Sequence, residues 1–348
     1  MVTDSTPEPI RLPWLPLLPW QRDAARAALA QRSTWPHALL IHGPRGIGKH
    51  ALALNLAQAL LCEAQTPDGL ACGECPGCRY AETGGHPDLM RLELLDRDKE
   101  KDDGTLVVVE TISIDRIRAL TDFVHLTSHR HQAKVAVIAP AERMLLPAAN
   151  ALLKTLEEPP PGTCLILVSD HPGRVAATIL SRCRKLAAPI PTATEALAWL
   201  EARGVPEPET ALAQASGAPL IALAHADRGV EAERRAWMAA LGTPARLSAS
   251  ALAARIDAGG KEQRKARLAL AVDWLIGWTA DLARVAAGGT VRQNIDAAAP
   301  LERLAAQVAP IALFRYHRSL LQQRALLAHP LQPRLVAEAL LTGYRALF

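Results

Sequence analysis

The sequence predicts an α/β domain built on a parallel sheet of the phosphate-loop type, followed by a helical remainder. Three observations carry this prediction. An apolar strand, a glycine-rich loop and a helix succeed one another over residues 35–61. Two further apolar runs, residues 134–139 and 165–169, are typical of strands buried in parallel sheets. From Glu231 onward, apolar residues repeat at helical spacing.

Length and composition fit this architecture. The chain of 348 residues is long enough for two or three domains. Its residues are 49% apolar but only 4% aromatic, so alanine and leucine, which favour helices, must fill much of the core. The net charge of +4 does not by itself indicate nucleic-acid binding. Because we find no secretory signal and no run long enough to span a bilayer, we expect a cytoplasmic protein whose cysteines stay reduced.

The first strand, residues 35–42, leads directly into a candidate phosphate-binding loop. Such a loop binds anionic oxygens with backbone N–H groups, a helix N-terminus and a lysine. The position after the lysine should be Ser or Thr, whose hydroxyl holds Mg²⁺, but here it is His50. The sequence therefore predicts a phosphate loop without its metal ligand and leaves open whether nucleotide binds. The candidate nucleotide-binding residues are Gly43, Gly46, Gly48 and Lys49.

Four cysteines follow the predicted helix of residues 51–61 with the spacing C-x9-C-x2-C-x2-C. Thiolates at this spacing suit a closed tetrahedral zinc site, which is structural because no coordination position stays open. A thioredoxin-like redox pair needs only two cysteines, and an iron–sulfur electron carrier or a metal-storage protein leaves the rest of the chain unexplained. The expected ligands are Cys62, Cys72, Cys75 and Cys78. Cys164 and Cys183 are expected to be small buried residues.

The intervening segments give further elements. We expect helices over residues 21–31, 114–123 and 150–160, a strand over 106–109, and a solvated loop over the charged run 96–104. In phosphate-loop ATPases the strand equivalent to residues 134–139 ends in Asp-Glu, which holds Mg²⁺ and activates water. Here Ala139 and Pro140 occupy those places, and Glu142 is expected to be a surface or helix-capping carboxylate too far along to replace them.

Taken together, three motifs resemble the AAA+ subunits of bacterial DNA polymerase III clamp loaders. They are the cysteines after a phosphate-loop helix, the run NALLKTLEEPP at residues 150–160, and TILSRC at residues 178–183. The chain lacks the Mg²⁺-binding residues, and in this respect it resembles the delta-prime branch of that family more than the ATPase branch, gamma/tau. The resemblance is dense between residues 35 and 183 and sparser beyond.

The resemblance implies an AAA+ fold followed by two helical domains. A nucleotide-fold domain would span residues 1–188 and contain the zinc module, residues 62–78. A helical lid would follow at 189–230, with helices over 194–203 and 209–226. An all-α collar that mediates oligomerisation would span 231–348. The sequence accommodates this division, because Pro189 and Pro191 interrupt the chain after the first domain.

The resemblance also implies roles for single residues. Arg182 would be an arginine finger that stabilises charge on the ATP of a neighbouring subunit. Leu220 stands where family ATPases carry a phosphate-binding lid arginine. The chain would thus be a non-hydrolysing accessory subunit of a DNA-directed DNA polymerase, a nucleotidyltransferase. Its partners would be the gamma/tau ATPases, the delta subunit, the sliding clamp and primed DNA, with no membrane. The alternative is an active gamma/tau-type ATPase, against which His50, Ala139 and Pro140 argue.

Overall fold

The computed structural model describes residues 14–64, 66–100, 106–129, 133–327 and 332–348. The chain divides into two compact units, Met1–Glu195 and Ala196–Phe348. This division lies a few residues after the prolines at which the sequence predicts the first domain to end. The predicted boundary between lid and collar, at residue 230, stays a prediction.

The first unit contains a five-stranded sheet with the strand order β2-β5-β6-β1-β7 and a separate antiparallel pair, β3-β4. Every neighbouring pair of the large sheet is parallel, and Leu40 in its middle is in register with Leu167 and Lys185. The strands of the described residues are β1 Ala38–His42, β2 Leu89–Leu92, β3 Leu95–Glu100, β4 Leu106–Val108, β5 Lys134–Ile138, β6 Thr163–Ser169 and β7 Arg184–Ala187.

Helices cover both faces of this sheet, so alternate residues of each strand enter different cores. Leu39 and Ile41 pack towards the first two helices, whereas Leu40 packs on the opposite face. Burial on both faces explains why the central residues of β1, β5 and β6 form continuous apolar runs instead of alternating. The helices of this unit are α1 Arg22–Leu29, α2 Lys49–Leu61, α3 Pro76–Thr83, α4 Ile114–His125, α5 Leu146–Glu157 and α6 Ala177–Leu180.

Most predicted elements of this unit are confirmed within a few residues, with one exception. The charged run 96–104 was expected to be a loop, but its first part belongs to β3, which pairs with β4. Backbone groups form such a ladder whatever the side chains are, so charge alone does not exclude a strand. Residues 101–105 of the run lie outside the described residues.

The second unit is helical, as the sequence predicts. The predicted helix at 209–226 is two helices, because Ser216 and Gly217 take positive φ values of 55° and 81° between them. The core includes Trp237, Trp278 and Tyr344. Helix α7, Ala193–Glu201, begins just before this unit. The other helices of the described residues are α8 Pro208–Gln214, α9 Pro219–Asp227, α10 Glu231–Leu241, α11 Ala249–Ala254, α12 Lys261–Ala286, α13 Ala298–Ala305, α14 Pro310–Leu326 and α15 Pro333–Arg345.

The longest helix in the described part of the chain is α12, with 26 residues. Within the described residues, no helix combines the length and the apolar character that crossing a membrane requires.

Candidate functional site

The candidate nucleotide site lies at the carboxyl edge of the large sheet, where parallel α/β folds bind ligands. The glycine-rich loop connects β1 to α2. Glu93 follows β2, Ala139 follows β5, and Asp170 follows β6. Because these strands end at the same edge, residues far apart in sequence meet around one loop.

The loop backbone depends on its glycines. Gly43, Gly46 and Gly48 have φ values of 153°, 80° and 93°, a region that residues with a Cβ adopt only with strain. Gly48 is constrained a second time, because a Cβ there would lie 2.2 Å from the Leu18 Cδ1 atom. The backbone of this loop therefore requires glycine at these positions.

Residues before α1 support the loop from outside. The indole N–H of Trp20 donates to the carbonyl oxygen of Ile47 at 3.0 Å. The Gln21 side-chain amide donates to the carbonyl oxygen of Gly48 at 2.8 Å and to that of Ile47 at 3.2 Å. The side chain of Trp20 is itself buried. These hydrogen bonds to the loop had no signal in the sequence.

Lys49 is bound to the protein itself. Its side chain is only 3% exposed, and its Nζ atom lies 2.6 Å from the Asp170 Oδ1 atom. It also donates to the carbonyl oxygen of Pro44 in the same loop. In a working phosphate loop this lysine neutralises nucleotide phosphate. Here the carboxylate of Asp170 balances its charge.

His50, at the place of the metal-binding hydroxyl, also contacts a carboxylate. Its Nε2 atom lies 2.9 Å from the Glu93 Oε1 atom. Arg91 donates to the same oxygen at 2.7 Å, and Glu93 is almost fully buried. Burial opposes the charge on Glu93, but His50 and Arg91 outweigh it and lower its pKa to about 2. The residue after Lys49 therefore carries an imidazole paired with a charged carboxylate, in place of a metal-binding hydroxyl.

The end of β5 lacks the two acidic residues of an ATPase, as the sequence predicts. Ala139 is 8% exposed and belongs to the core. Glu142 was expected to be a surface or helix-capping carboxylate, yet one of its oxygens accepts the backbone N–H of Asp170 at 3.0 Å, and its other oxygen is buried. The chain reaches this arrangement because a short helical turn after β5 directs Glu142 towards the end of β6. Glu142 thus helps to position Asp170.

The four predicted zinc ligands converge. Their Sγ atoms all lie within 4.8 Å of one another, and both the Cys62–Cys75 and the Cys72–Cys78 pairs are separated by 3.9 Å. Tetrahedral zinc with bonds of about 2.3 Å places sulfurs roughly 3.8 Å apart. The cluster could therefore hold a metal such as zinc, a fit that rests on the thiol spacing and the all-sulfur donor set.

Local backbone structure prepares this cluster for thiolates. The backbone N–H groups of Cys72, Cys75 and Cys78 donate to the Sγ atoms of Cys62, Cys72 and Cys75 respectively, at 3.3 to 3.4 Å. Burial opposes ionisation of Cys75, but the Cys78 N–H and the neighbouring thiols lower its pKa to about 7. Gly77 lets α3 approach the end of α2, since a Cβ there would lie 2.7 Å from the Leu61 carbonyl oxygen.

Arg182, the predicted arginine finger, follows the short helix α6 and is about a third exposed. One guanidinium nitrogen lies 2.5 Å from the Glu157 Oε1 atom at the end of α5, and the other donates to the Thr178 carbonyl oxygen at 3.0 Å. The two family-like motifs of the sequence, around residues 157 and 182, thus meet in one ion pair. Neighbouring Cys183 and distant Cys164 are buried, as predicted.

Comparison with known proteins gives consistent similarities. The family described as DNA polymerase III, delta subunit, matches residues 25–190. The DNA polymerase III subunit delta' of Pseudomonas aeruginosa is 38% identical over 275 residues, 77% of this chain and 77% of that protein. Its counterpart in Escherichia coli K12 is 34% identical over 304 residues, covering 85% and 84%. The tau subunit of the same organism is 37% identical over 150 residues, only 42% of this chain and 20% of that protein.

Proposed function

The chain belongs to the delta-prime family of bacterial DNA polymerase III subunits, and we propose that it is a non-hydrolysing clamp loader subunit. Its parallel sheet and the helices that follow agree with the AAA+ fold implied by the resemblance. In this role it helps to load the sliding clamp on primed DNA during replication, as an accessory to a DNA-directed DNA polymerase. The observation that carries the proposal is the Lys49–Asp170 ion pair within a loop that lacks its metal ligand.

Three features support the absence of hydrolysis. The hydroxyl that would hold Mg²⁺ is replaced by His50, and the pair that would hold Mg²⁺ and activate water is replaced by Ala139 and Pro140. Phosphoryl transfer depends almost entirely on positioning and on neutralising charge, so these losses remove most of the catalytic power. Leu220, at the place of the lid arginine, supplies no charge to a phosphate.

The test is ATP turnover by the purified chain alone, with Mg²⁺ and primed DNA, beside a nucleotide-binding titration. We expect no turnover above background. Clear turnover would favour the alternative, an active gamma/tau-type ATPase.

Nucleotide binding is proposed to be blocked by Asp170, because any phosphate must displace it from Lys49. We expect Asp170→Asn to gain ATP or pyrophosphate binding that the unmodified chain lacks at millimolar concentration. The gain should disappear in the Asp170→Asn, Lys49→Ala double variant, which removes the cation. Calorimetric titration measures both. Equal binding by the unmodified chain and Asp170→Asn would contradict the block.

Two further roles are part of the proposal. Arg182 acts in trans as an arginine finger on the ATP of an adjacent gamma/tau subunit, after exchanging Glu157 for phosphate. The four-cysteine cluster holds zinc as a structural ion between α2 and α3. The proposal also retains the cytoplasmic location that the sequence predicts.

The proposed partners are the gamma/tau and delta subunits, and through the complex the sliding clamp and primer-template DNA. One surface of the second unit suits such assembly. Ile311, Phe314 and Leu321 of α14 are 69%, 67% and 48% exposed. Their spacing of three and seven residues places large apolar side chains along one side of that helix. We propose that this side of α14 contacts another subunit.

A charge on this surface should therefore weaken assembly. We expect Phe314→Asp to lower affinity for the other clamp loader subunits by at least about tenfold, because a carboxylate would be buried without a partner. The thermal stability of the Phe314→Asp variant should change little, since the side chain that the substitution removes is mostly exposed. Ala239→Asp, at an exposed position of α10, is the control. Surface plasmon resonance with the purified partner subunits measures the effect, and unchanged affinity would exclude α14 from the interface.

A further inference from the structure

An open cavity lies in the first unit at the amino edge of the large sheet, on the side opposite the phosphate loop. It has a volume of about 540 Å³, within the range of sites that hold small organic molecules. It opens where β1, β5 and β6 begin. Its polar lining comes from Arg32, Trp35, His37 and Thr163, and none of the roles proposed above uses these residues.

Three residues that line the cavity each carry a buried polar atom without a hydrogen-bond partner. Among the described residues, five buried side-chain nitrogen or oxygen atoms lack a hydrogen bond. Three of them belong to residues that line this cavity: Trp35 Nε1, His37 Nε2 and Thr163 Oγ1. Thr163 is only 5% exposed. Native proteins leave few such atoms unpaired, because each loses its hydrogen bonds to water without replacement. Three at one cavity point to a missing partner.

The chemistry of these groups indicates what that partner offers. An indole N–H can only donate, and a hydroxyl can donate or accept. Arg32 adds a positive charge at the rim, where its guanidinium donates to the carbonyl oxygens of Ala59 and Leu60 at 2.8 Å. Burial raises the pKa of Cys164 on the cavity wall to about 11, and the positive charge of Arg32 opposes that rise. No Asp or Glu is among the described lining residues. A partner with acceptor oxygens and a negative charge would match these groups.

The rest of the wall is apolar and limits the ligand further. Leu60, Ala133 and three consecutive prolines, residues 159–161, surround the polar groups. One guanidinium matches a single negative charge better than a phosphate dianion. We propose that this cavity binds a carboxylate carried on a compact apolar body, either a free acid or the C-terminal residue of a peptide. The three unpartnered atoms have almost no contact with solvent, so binding requires changes of side-chain rotamer that turn them towards the carboxylate.

Ligand binding by the 348-residue chain, without any substitution, tests the proposal. Calorimetric titration with benzoate and with N-acetylphenylalanine should show saturable binding, and each matching neutral amide should bind at least tenfold more weakly. Tighter binding of benzoate would identify a free acid as the ligand, and tighter binding of N-acetylphenylalanine a peptide C-terminus. Equal affinities for acid and amide would overturn the proposal. So would the absence of binding, which would mean that the cavity holds water only.

Substitutions then locate the site. Thr163→Val keeps the shape of the side chain and Trp35→Phe keeps an aromatic ring. Each removes the unpartnered group, so each should weaken benzoate binding at least fivefold. Without ligand, Thr163→Val should melt no lower than the unmodified chain, because the hydroxyl it removes has no partner to lose. Thr194→Val, at an exposed position, and Trp14→Phe are the matched controls. Benzoate binding that survives both cavity variants would place the ligand elsewhere.

Discussion

Replacing Arg182 by alanine should slow ATP hydrolysis at one site of the assembled clamp loader by about 100-fold or more. The guanidinium is expected to stabilise charge that develops on the transferred phosphate, and an alanine supplies none. The protein itself should fold normally, since Arg182 is partly exposed and its ion pair with Glu157 lies at the surface. Surface pairs of this kind contribute little to the free energy of unfolding.

The measurement must isolate the affected site. A complex in which the other ATPase subunits carry substitutions of their phosphate-loop lysines leaves only the site next to this chain active. Single-turnover hydrolysis then reports the Arg182→Ala effect directly. Arg184→Ala is the matched control, because Arg184 lies two residues away, is exposed and bonds to Gln31 instead of a carboxylate. An unchanged single-turnover rate with Arg182→Ala would exclude the finger role.

The ion pair between Arg182 and Glu157 leads to a second prediction, with a smaller expected effect on ATP hydrolysis. Glu157 holds Arg182 against α5 in the isolated chain. If the finger must leave Glu157 to reach a phosphate, Glu157→Gln should weaken that restraint and leave hydrolysis intact or slightly faster. A loss as large as that of Arg182→Ala would instead show that Glu157 orients the finger in the assembled state.

The sequence predicts the centre of the first unit better than its edges. Strands β1, β5 and β6 are continuous apolar runs because helices cover them on both sides, and that pattern is readable in one dimension. Strand β7 was not predicted, because three of its four residues are exposed and it pairs on one side only. Strand β2, at the other edge, has two half-exposed central residues and was missed for the same reason.

The candidate site shows a similar division. Its glycines and lysine are contiguous, and the cysteines follow a short spacing, so local patterns reveal both groups. Asp170 and Glu93 are far from the loop in sequence and meet it only because β6 and β2 end at the same sheet edge. A carboxylate directly after a buried strand was the available signal for Asp170. Choosing its partner requires the strand order, which one sequence does not contain.

Replacing Cys75 by serine is the second substitution with a large expected effect. The hydroxyl of serine does not replace a thiolate, so the cluster should lose zinc. A structural zinc contributes about 10–16 kcal/mol in small zinc domains. Here the large sheet supplies a core of its own, so we expect partial destabilisation of the first unit, with Tm lower by about 10 °C. Elemental analysis and thermal unfolding measure the two effects.

Cys164→Ala is the control for this experiment, since Cys164 is a buried thiol outside the cluster. It should keep full metal content and lose much less stability. The effect of Cys75→Ser should reach the phosphate loop only indirectly. Helix α2 begins at Lys49 and ends next to Cys62, so its whole length separates the loop from the cysteine cluster. A chelator should lower the Tm of the unmodified chain towards that of Cys75→Ser and leave the variant unchanged. Unaltered metal content in Cys75→Ser would show that the four cysteines are not the zinc site, and that their convergence serves packing alone.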